Sequence, residues 1–251
     1  MSVDPARLAL IGYAGEAFGT PVSARRFDAL LDQTDLKLGD HALDLGCGHG
    51  QAALRLAGRG LRVHAVERHA SVAEAAARRT AAASPGSIHV VIAEAREVLS
   101  ASTRYRLVMA VGAGRLVGRE AQPVDTLLAL ARAAEPGGWV LWGETFWRAP
   151  PSPRLRLVAD ASGAYGRHAE HVAAGVEAGL TPIAAEESTR DEWDRYVFGY
   201  VAAFERHARL HPKEPGAPAL LDRARAWRDL YLQEAREVMG FGLYLFWKPQ
   251  A

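Results

Sequence analysis

The chain has 251 residues, 49% of them apolar and 24% charged, and its 30 basic and 29 acidic side chains leave a formal net charge of +1. That composition excludes wholesale disorder, and the length fits one α/β domain with insertions. All but three of the basic residues (Lys37, Lys213 and Lys248) are arginines, and they are scattered along the chain, which argues against the clustered basic face of a nucleic-acid binder.

In chain order, Asp4–Ala17 and Ala24–Gln33 read as helices. Short apolar runs follow at His41–Leu45, Leu61–Val66, Ile88–Ile92, Leu107–Val111 and Trp139–Gly143. Between them, apolar spacings of three and four predict helices over Gln51–Ala57, Ser71–Ala82, Ala95–Ser100 and Pro123–Ala134. Strands alternating with helices predict βαβ units and a parallel sheet covered on both faces. Ala149–Ser162, rich in Pro, Arg and Ser, reads as a linker or lid. Tyr165–Ala178 reads as a helix and Thr181–Glu187 as a sixth strand. Asp191–His211, with a capping pattern at Ser188 or Thr189, and Ala217–Val238 read as long helices. Phe241–Trp247 closes the chain as a seventh strand. One domain over 1–251 is expected: N-terminal helices or lid over 1–35, a ligand-binding core over 36–148, helical insertions with the sixth strand over 149–240, and the last strand over 241–251. The single cysteine, Cys47, excludes an intramolecular disulfide. Neither a signal peptide nor an apolar run of about 18 residues is seen, so a cytoplasmic protein without a membrane span is expected.

The stretch ALDLGCGHG over 42–50 sits between the first strand and the first sheet helix. Gly46, Gly48 and Gly50 permit positive φ and close backbone approach, and N–H groups at the helix start are expected to face a ligand. Gln51 takes the place of further glycine spacing, so the pattern is GxGxG rather than the dinucleotide fingerprint. Asp44 stands two residues before the first glycine, where it would repel a pyrophosphate and attract an ammonium group. Glu67 ends the second strand, placed to accept hydrogen bonds from two ribose hydroxyls. Arg68 follows it and keeps a phosphorylated dinucleotide open as an alternative. Glu94, in the AEA segment after the third strand, is placed to accept from an adenine amino group or to sit at a helix start.

These residues, with PGGWVLWGE over 136–144, resemble the ordered motifs of class I S-adenosylmethionine-dependent methyltransferases. Over nearly the whole chain, VGAGRLVG (111–118), GETFWR (143–148), DEWDRY (191–196) and GFGLYLF are similar to a group of bacterial methyltransferase-like proteins. The resemblance implies a Rossmann-like, mostly parallel seven-stranded sheet with the last strand antiparallel, and S-adenosylmethionine as cofactor with S-adenosylhomocysteine as product. It implies cofactor contacts at Asp44, Gly46, Cys47, Gly48, Gly50, Glu67, Arg68, Glu94, Ala95 and Val111. Many relatives have Asp where this chain has Glu67 and Glu94. The acceptor stays open.

Methyl transfer needs alignment above all, and a base only where the nucleophile starts protonated. Glu144 and Arg148 are the catalytic candidates, as base and as carboxylate clamp; the alternative is a salt bridge between them within a turn. Tyr13, Gly114, Arg115, Trp147, Trp193 and Tyr196 are the candidate substrate residues, with core packing as the alternative for the aromatics. The pairs His168/His171 and His207/His211 lack a completing carboxylate or cysteine spacing, so no metal is expected. Cys47 reads as small packing rather than a nucleophile. The expected function is methyl transfer to a small molecule, with neither nucleic acid nor membrane as partner. A nucleic-acid methylase is disfavoured by the missing Asn/Asp-Pro-Pro-Tyr motif. A protein methyltransferase, a non-catalytic cofactor-binding relative and an NAD(P)-dependent oxidoreductase are the other readings.

Overall fold

The computed structural model describes residues 4–13, 18–83, 86–114, 116–118, 120–160 and 165–250. Two helices, α1 (Pro5–Gly12) and α2 (Ala24–Leu31), precede the sheet. The alternating half runs β1 (His41–Leu45), α3 (Gln51–Gly58), β2 (Arg62–Glu67), α4 (Ala70–Ala83), β3 (Ile88–Ile92), α5 (Ala95–Leu99), β4 (Tyr105–Val111), α6 (Pro123–Ala133) and β5 (Ala134–Trp147). The second half runs α7 (Pro153–Asp160), α8 (His168–Glu177), β6 (Thr181–Glu187), α9 (Arg190–Leu210), α10 (Ala217–Leu230), a π turn over 231–235, α11 (Arg236–Val238) and β7 (Met239–Trp247).

The strands form one sheet in the order β3-β2-β1-β4-β5-β7-β6. β7 runs antiparallel to both its neighbours, and every other pairing is parallel. The first parallel strands need apolar side chains on both faces because helices cover both. Phe27, Leu56, Leu107, Leu141 and Leu243 fill one layer with α2, α3 and α9. Leu43, Val108, Leu127, Trp142 and Phe246 fill the other with α6 and α8. Each such side chain, when fully buried, contributes about 1.5–3 kcal/mol.

Four elements depart from the sequence reading. Residues 153–160, read as linker, form α7, because Pro153 suits a first helical turn and the Ser152 hydroxyl accepts from Leu155 N at 3.1 Å. β5 extends beyond Trp139–Gly143 at both ends, because Ala134 pairs with Tyr105 of β4 and β7 pairs with the strand as far as Trp147. The helix expected over 217–238 is interrupted by the π turn, where the Tyr231 hydroxyl donates to Asp194 at 2.7 Å. The first helix ends at Gly12, and residues 14–17 of the expected one lie outside the described residues.

Candidate active site

The glycine loop leaves the carboxyl end of β1 and enters α3. Gly46, Gly48 and Gly50 all take positive φ (70°, 51° and 76°). A Cβ on Gly46 would stand 2.6 Å from the Ala113 Cβ, so this glycine lets the β4 exit close against the loop. Nothing lies within 4 Å of a Cβ built on Gly48, which faces open space. The loop's donors differ from expectation. Gly46 and Cys47 donate to Val66 O at 2.9 and 3.0 Å, Gly50 to Cys47 O at 2.8 Å, and Gly48 to Glu67 Oε2 at 3.3 Å. These N–H groups are satisfied within the protein, because β2 lies beside the loop and takes them first.

Asp44 is 2% exposed, and its Oδ2 has no hydrogen-bond partner among the described residues. Burial, followed by the nearby Glu67 carboxylate, pushes its carboxyl up to about 7 against the opposing Ala53 N–H. A buried carboxyl with a vacant oxygen costs stability unless something polar meets it. Glu67 ends β2 and turns to the loop, with Oε1 accepting from His69 N at 2.9 Å and Oε2 from Gly48 N. Two carboxylate oxygens offer about four acceptor positions, so acceptor capacity remains. Arg68 points away, its Nε on the His69 ring at 3.2 Å. Glu94 occupies the N-cap position of α5, yet its exposed side chain makes no cap hydrogen bond, and Ala95 behind it is buried. Burial and then the Asp44 and Glu67 charges raise the Cys47 thiol, which keeps it protonated and packed.

The roof comes from the termini of the sheet and from α1 and α9. β4 ends at the half-buried Val111, and Gly112 N donates to Gly143 O at 2.8 Å. A Cβ on Gly112 would overlap the Thr20 methyl, and the Thr20 hydroxyl is buried without a partner. His49 Nε2 donates to Ala9 O at 3.1 Å, tying α1 to the loop. Tyr13 stacks on Tyr196 with centroids 5.8 Å apart, and their hydroxyls meet at 2.9 Å. Trp193 stands edge-on to Tyr196 at 6.0 Å, with its indole N–H buried and unpaired. Burial raises the hydroxyls of Tyr13 and Tyr196, so both stay protonated.

The structure therefore brings Tyr13, Trp193 and Tyr196 together. Trp147 lies apart at the end of β5, edge-on to Tyr165 at 5.6 Å. These two border a cleft of about 560 Å3 between α6 and α8. A wider hollow of about 810 Å3 between α5 and α6 is lined by Arg96, Ser100 and Asp125. Neither opens on the glycine loop, so the carboxyl edge of the sheet, rather than cleft size, locates the site. Gly114 has φ 23° just beyond β4, and Arg115 lies outside the described residues.

The expected Glu144–Arg148 pair does not form. β5 continues as strand to Trp147, which carries Arg148 about 13 Å along from Glu144 instead of folding the two into a turn. Arg148 pairs with Glu187 and donates to Met239 O at 2.6 Å. Glu144 lies deep, keeps some accessible surface, and accepts only the Thr145 N–H at 2.8 Å on Oε1. Burial pushes its carboxyl up to about 7. Sequence reasoning missed Thr20 and Tyr244, which carry no local signal because their neighbours, Gly112 for one and His168 and His171 on α8 for the other, are distant in sequence. His207 meets Glu214 at 2.9 Å, and no group of three metal-ligating side chains exists among the described residues. No helix among them is long and apolar enough to cross a membrane.

Comparison with known proteins bears on the fold and on part of the chain. Residues 42–138 match the family model described as a methyltransferase domain. Over 119 residues the chain is 35% identical to a protein-L-isoaspartate O-methyltransferase of Methylorubrum populi. That match covers 47% of this chain and 45% of the relative, so it spans under half of the relative's length. Two crystal structures of SAM-dependent methyltransferases in complex with S-adenosyl-L-homocysteine share the fold end to end. The Geobacter sulfurreducens protein is 21% identical with a TM-score of 0.84, and the Thiobacillus denitrificans protein 22% identical with a TM-score of 0.82. Each alignment covers 98% of this chain and 99% of the other.

Proposed function

We propose that this chain, which carries a methyltransferase domain of the class I fold, transfers a methyl group from S-adenosylmethionine to a small-molecule acceptor. The observation that carries the reading is Asp44, a buried carboxyl with a vacant oxygen beside a positive-φ glycine loop. An ammonium group satisfies that oxygen and offsets the charge it shares with Glu67. A pyrophosphate would add negative charge to the same place. In this reading Asp44 holds the amino acid end of the cofactor, Gly46, Cys47, Gly48 and Gly50 let it approach, and Glu67 takes the ribose hydroxyls. Arg68, Glu94, Ala95 and Val111 border the adenosine. When bound, the cofactor supplies a methyl group already activated on a sulfonium centre.

The rest of the work falls to the chain: to orient the acceptor and exclude water. Tyr13, Tyr196 and Trp193, which pack on one another, are read as the cover of a chamber for a small acceptor. Its neutral donors, the Thr20 hydroxyl and the Trp193 indole N–H, are buried without partners and suit hydrogen-bond acceptor atoms on the ligand. Gly114, just beyond β4, stands at the same edge of the sheet, whereas Trp147 lies apart from it.

The test is calorimetric titration with S-adenosylmethionine, S-adenosylhomocysteine and NADPH, followed by a mass-shift screen for methylated products across alcohols, phenols, amines and peptides. Binding of both sulfur ligands, lost in Asp44→Ala while the fold is kept, supports the cofactor reading. Binding of NADPH alone overturns it. Methylation of peptides but of no small molecule would replace the acceptor class with a protein.

A further inference from the structure

A cluster of titratable groups lies behind the candidate site, on the α8 face of the sheet. Glu144 stands one residue past the last β4–β5 pair, Val111↔Gly143, and so reaches the carboxyl edge next to Gly112. In the antiparallel part of the sheet, Glu144 pairs with Gly242, and Gly242 pairs with Glu187. The two carboxylates thus flank a glycine across three strands. Gly242 is required, because the Tyr244 hydroxyl lies over it where a Cβ would be. Facing side chains on such neighbouring strands have Cβ atoms about 4.5–5.5 Å apart, so one water can bridge Glu144 to the phenol. The Glu144 charge acts on this phenol, which burial already raises, and Glu187 adds to the effect.

Two histidines one helical turn apart on α8 both present Nδ1 to that phenol: His168 at 3.0 Å and His171 at 3.1 Å. One hydroxyl proton serves only one of them, so the other ring must donate. His171 is 0% exposed, and its Nε2 has no partner among the described residues. A proton on that nitrogen would be a buried orphan donor, so His171 carries its proton on Nδ1 and donates to Tyr244. Tyr244 then donates to His168, which is partly accessible and carries its own proton on Nε2. The chain of donors runs in one direction, from His171 through Tyr244 to His168.

We propose that Glu144, Tyr244 and His168 form a proton outlet for the methyl-transfer site, which assigns the acceptor to compounds whose nucleophilic atom X starts as X–H. The inference rests on the methyltransferase reading above. The X–C bond forms as the donor's S–C bond breaks, the X–H electron pair stays on X, and the proton goes to the Glu144 carboxylate. Glu144 passes it through a bridging water to the Tyr244 oxygen while the Tyr244 proton moves to His168 Nδ1. His168 then releases its Nε2 proton to water. His171 holds the phenol in place and stays neutral, since burial and the neighbouring His168 push its ring down to about 4. The charged and titratable groups around Glu144 are Tyr244 on β7, Glu187 on β6 with its partner Arg148 just past β5, and His168 and His171 on α8. Glu187 is neutralised by Arg148, which leaves Glu144 as the carboxylate available to the site.

The experiment follows the Glu carboxyl carbons and the histidine ring nitrogens by NMR from pH 5 to 9 in the S-adenosylhomocysteine-bound protein. In wild type, a transition at the Glu144 carboxyl near pH 7 is expected to appear also in the His168 ring nitrogens. Glu144→Gln should remove it from His168, and Tyr244→Phe should leave it at the carboxyl alone. Identical His168 titrations in wild type and both variants would overturn the outlet. A second readout uses any acceptor found by the mass-shift screen: Tyr244→Phe should lower kcat about tenfold with little change in KM, rescued by added imidazole. Unrescued loss, or loss in KM alone, would mark a structural role and refute the relay. Failure of the wild type to bind S-adenosylhomocysteine would instead refute the methyltransferase reading.

Discussion

Replacing Asp44 by Asn removes one charge and almost nothing else, since the amide oxygen still accepts the Ala53 N–H. The wild-type carboxyl moves from an ordinary value of 3.8 to about 7 in the fold. A carboxyl raised on folding binds its proton more tightly in the folded state, so stability falls as pH rises through the window from about 4 to 7. A displacement of that size is worth on the order of 4 kcal/mol. Local relaxation reduces this, and roughly half is a reasonable expectation. At this chain length 1 kcal/mol moves Tm by roughly 2–4 °C. Without ligand at pH 8, Asp44→Asn should therefore unfold roughly 4–8 °C above wild type, with the difference shrinking to nothing near pH 4. The same variant should lose roughly 10- to 100-fold in S-adenosylhomocysteine affinity, the worth of about 1.5–3 kcal/mol for one charge-assisted hydrogen bond. Scanning calorimetry across pH and isothermal titration read both. A variant no more stable at pH 8, or one that binds the ligand as tightly as wild type, would refute the reasoning.

Three further outcomes follow from the geometry. Gly46→Ala forces a Cβ to within 2.6 Å of Ala113 at positive φ and should cost about 2–4 kcal/mol in denaturant unfolding. Gly48→Ala meets open space, so it should cost only about 1 kcal/mol in stability yet weaken S-adenosylhomocysteine binding at least tenfold; a stability loss equal to that of Gly46→Ala would contradict the open cradle. Burial alone would raise the Glu192 carboxyl, but hydrogen bonds from Ser23, Thr189 and Arg26 hold it at about 2. Its contribution is present above about pH 4.5 and lost as pH falls toward 2, so Glu192→Gln should flatten the acid side of the stability curve, read by urea titrations between pH 3 and 6.

The parts of the site that were legible in the sequence are local ones. The loop over 42–50 declares itself because positive φ, a preceding strand and a following helix are all properties of nine adjacent residues. The parallel strands were legible because burial on both faces leaves continuous apolar runs. What stayed hidden depends on the return of β7. Residues 144 and 148 read as a turn only if β5 ends at Gly143; the pairing of Met239 with Trp147 holds the chain extended and hands Arg148 to Glu187 instead. His168 and His171 have no role in the sequence until Tyr244, 73 residues beyond His171, places its hydroxyl between them. Ser152 and Pro153 did carry a helix-start signal, masked by the surrounding prolines.

The antiparallel β7 thus has a chemical consequence besides closing the sheet. A parallel strand at this position would have its own carboxyl end at the edge where β1 and β4 end. Because β7 runs the other way, its amino-terminal residues, Met239 to Tyr244, meet the carboxyl end of β5. Glycines at 240 and 242 leave room there for the Phe146 ring and the Tyr244 hydroxyl. The same stretch supplies Phe241 to the opposite layer, beneath Gly112 and Thr20. One strand start therefore shapes both the wall of the proposed acceptor chamber and the polar cluster behind Glu144. Substitutions on it should disturb the acceptor side while leaving the Asp44 loop, three strands away, able to bind its ligand.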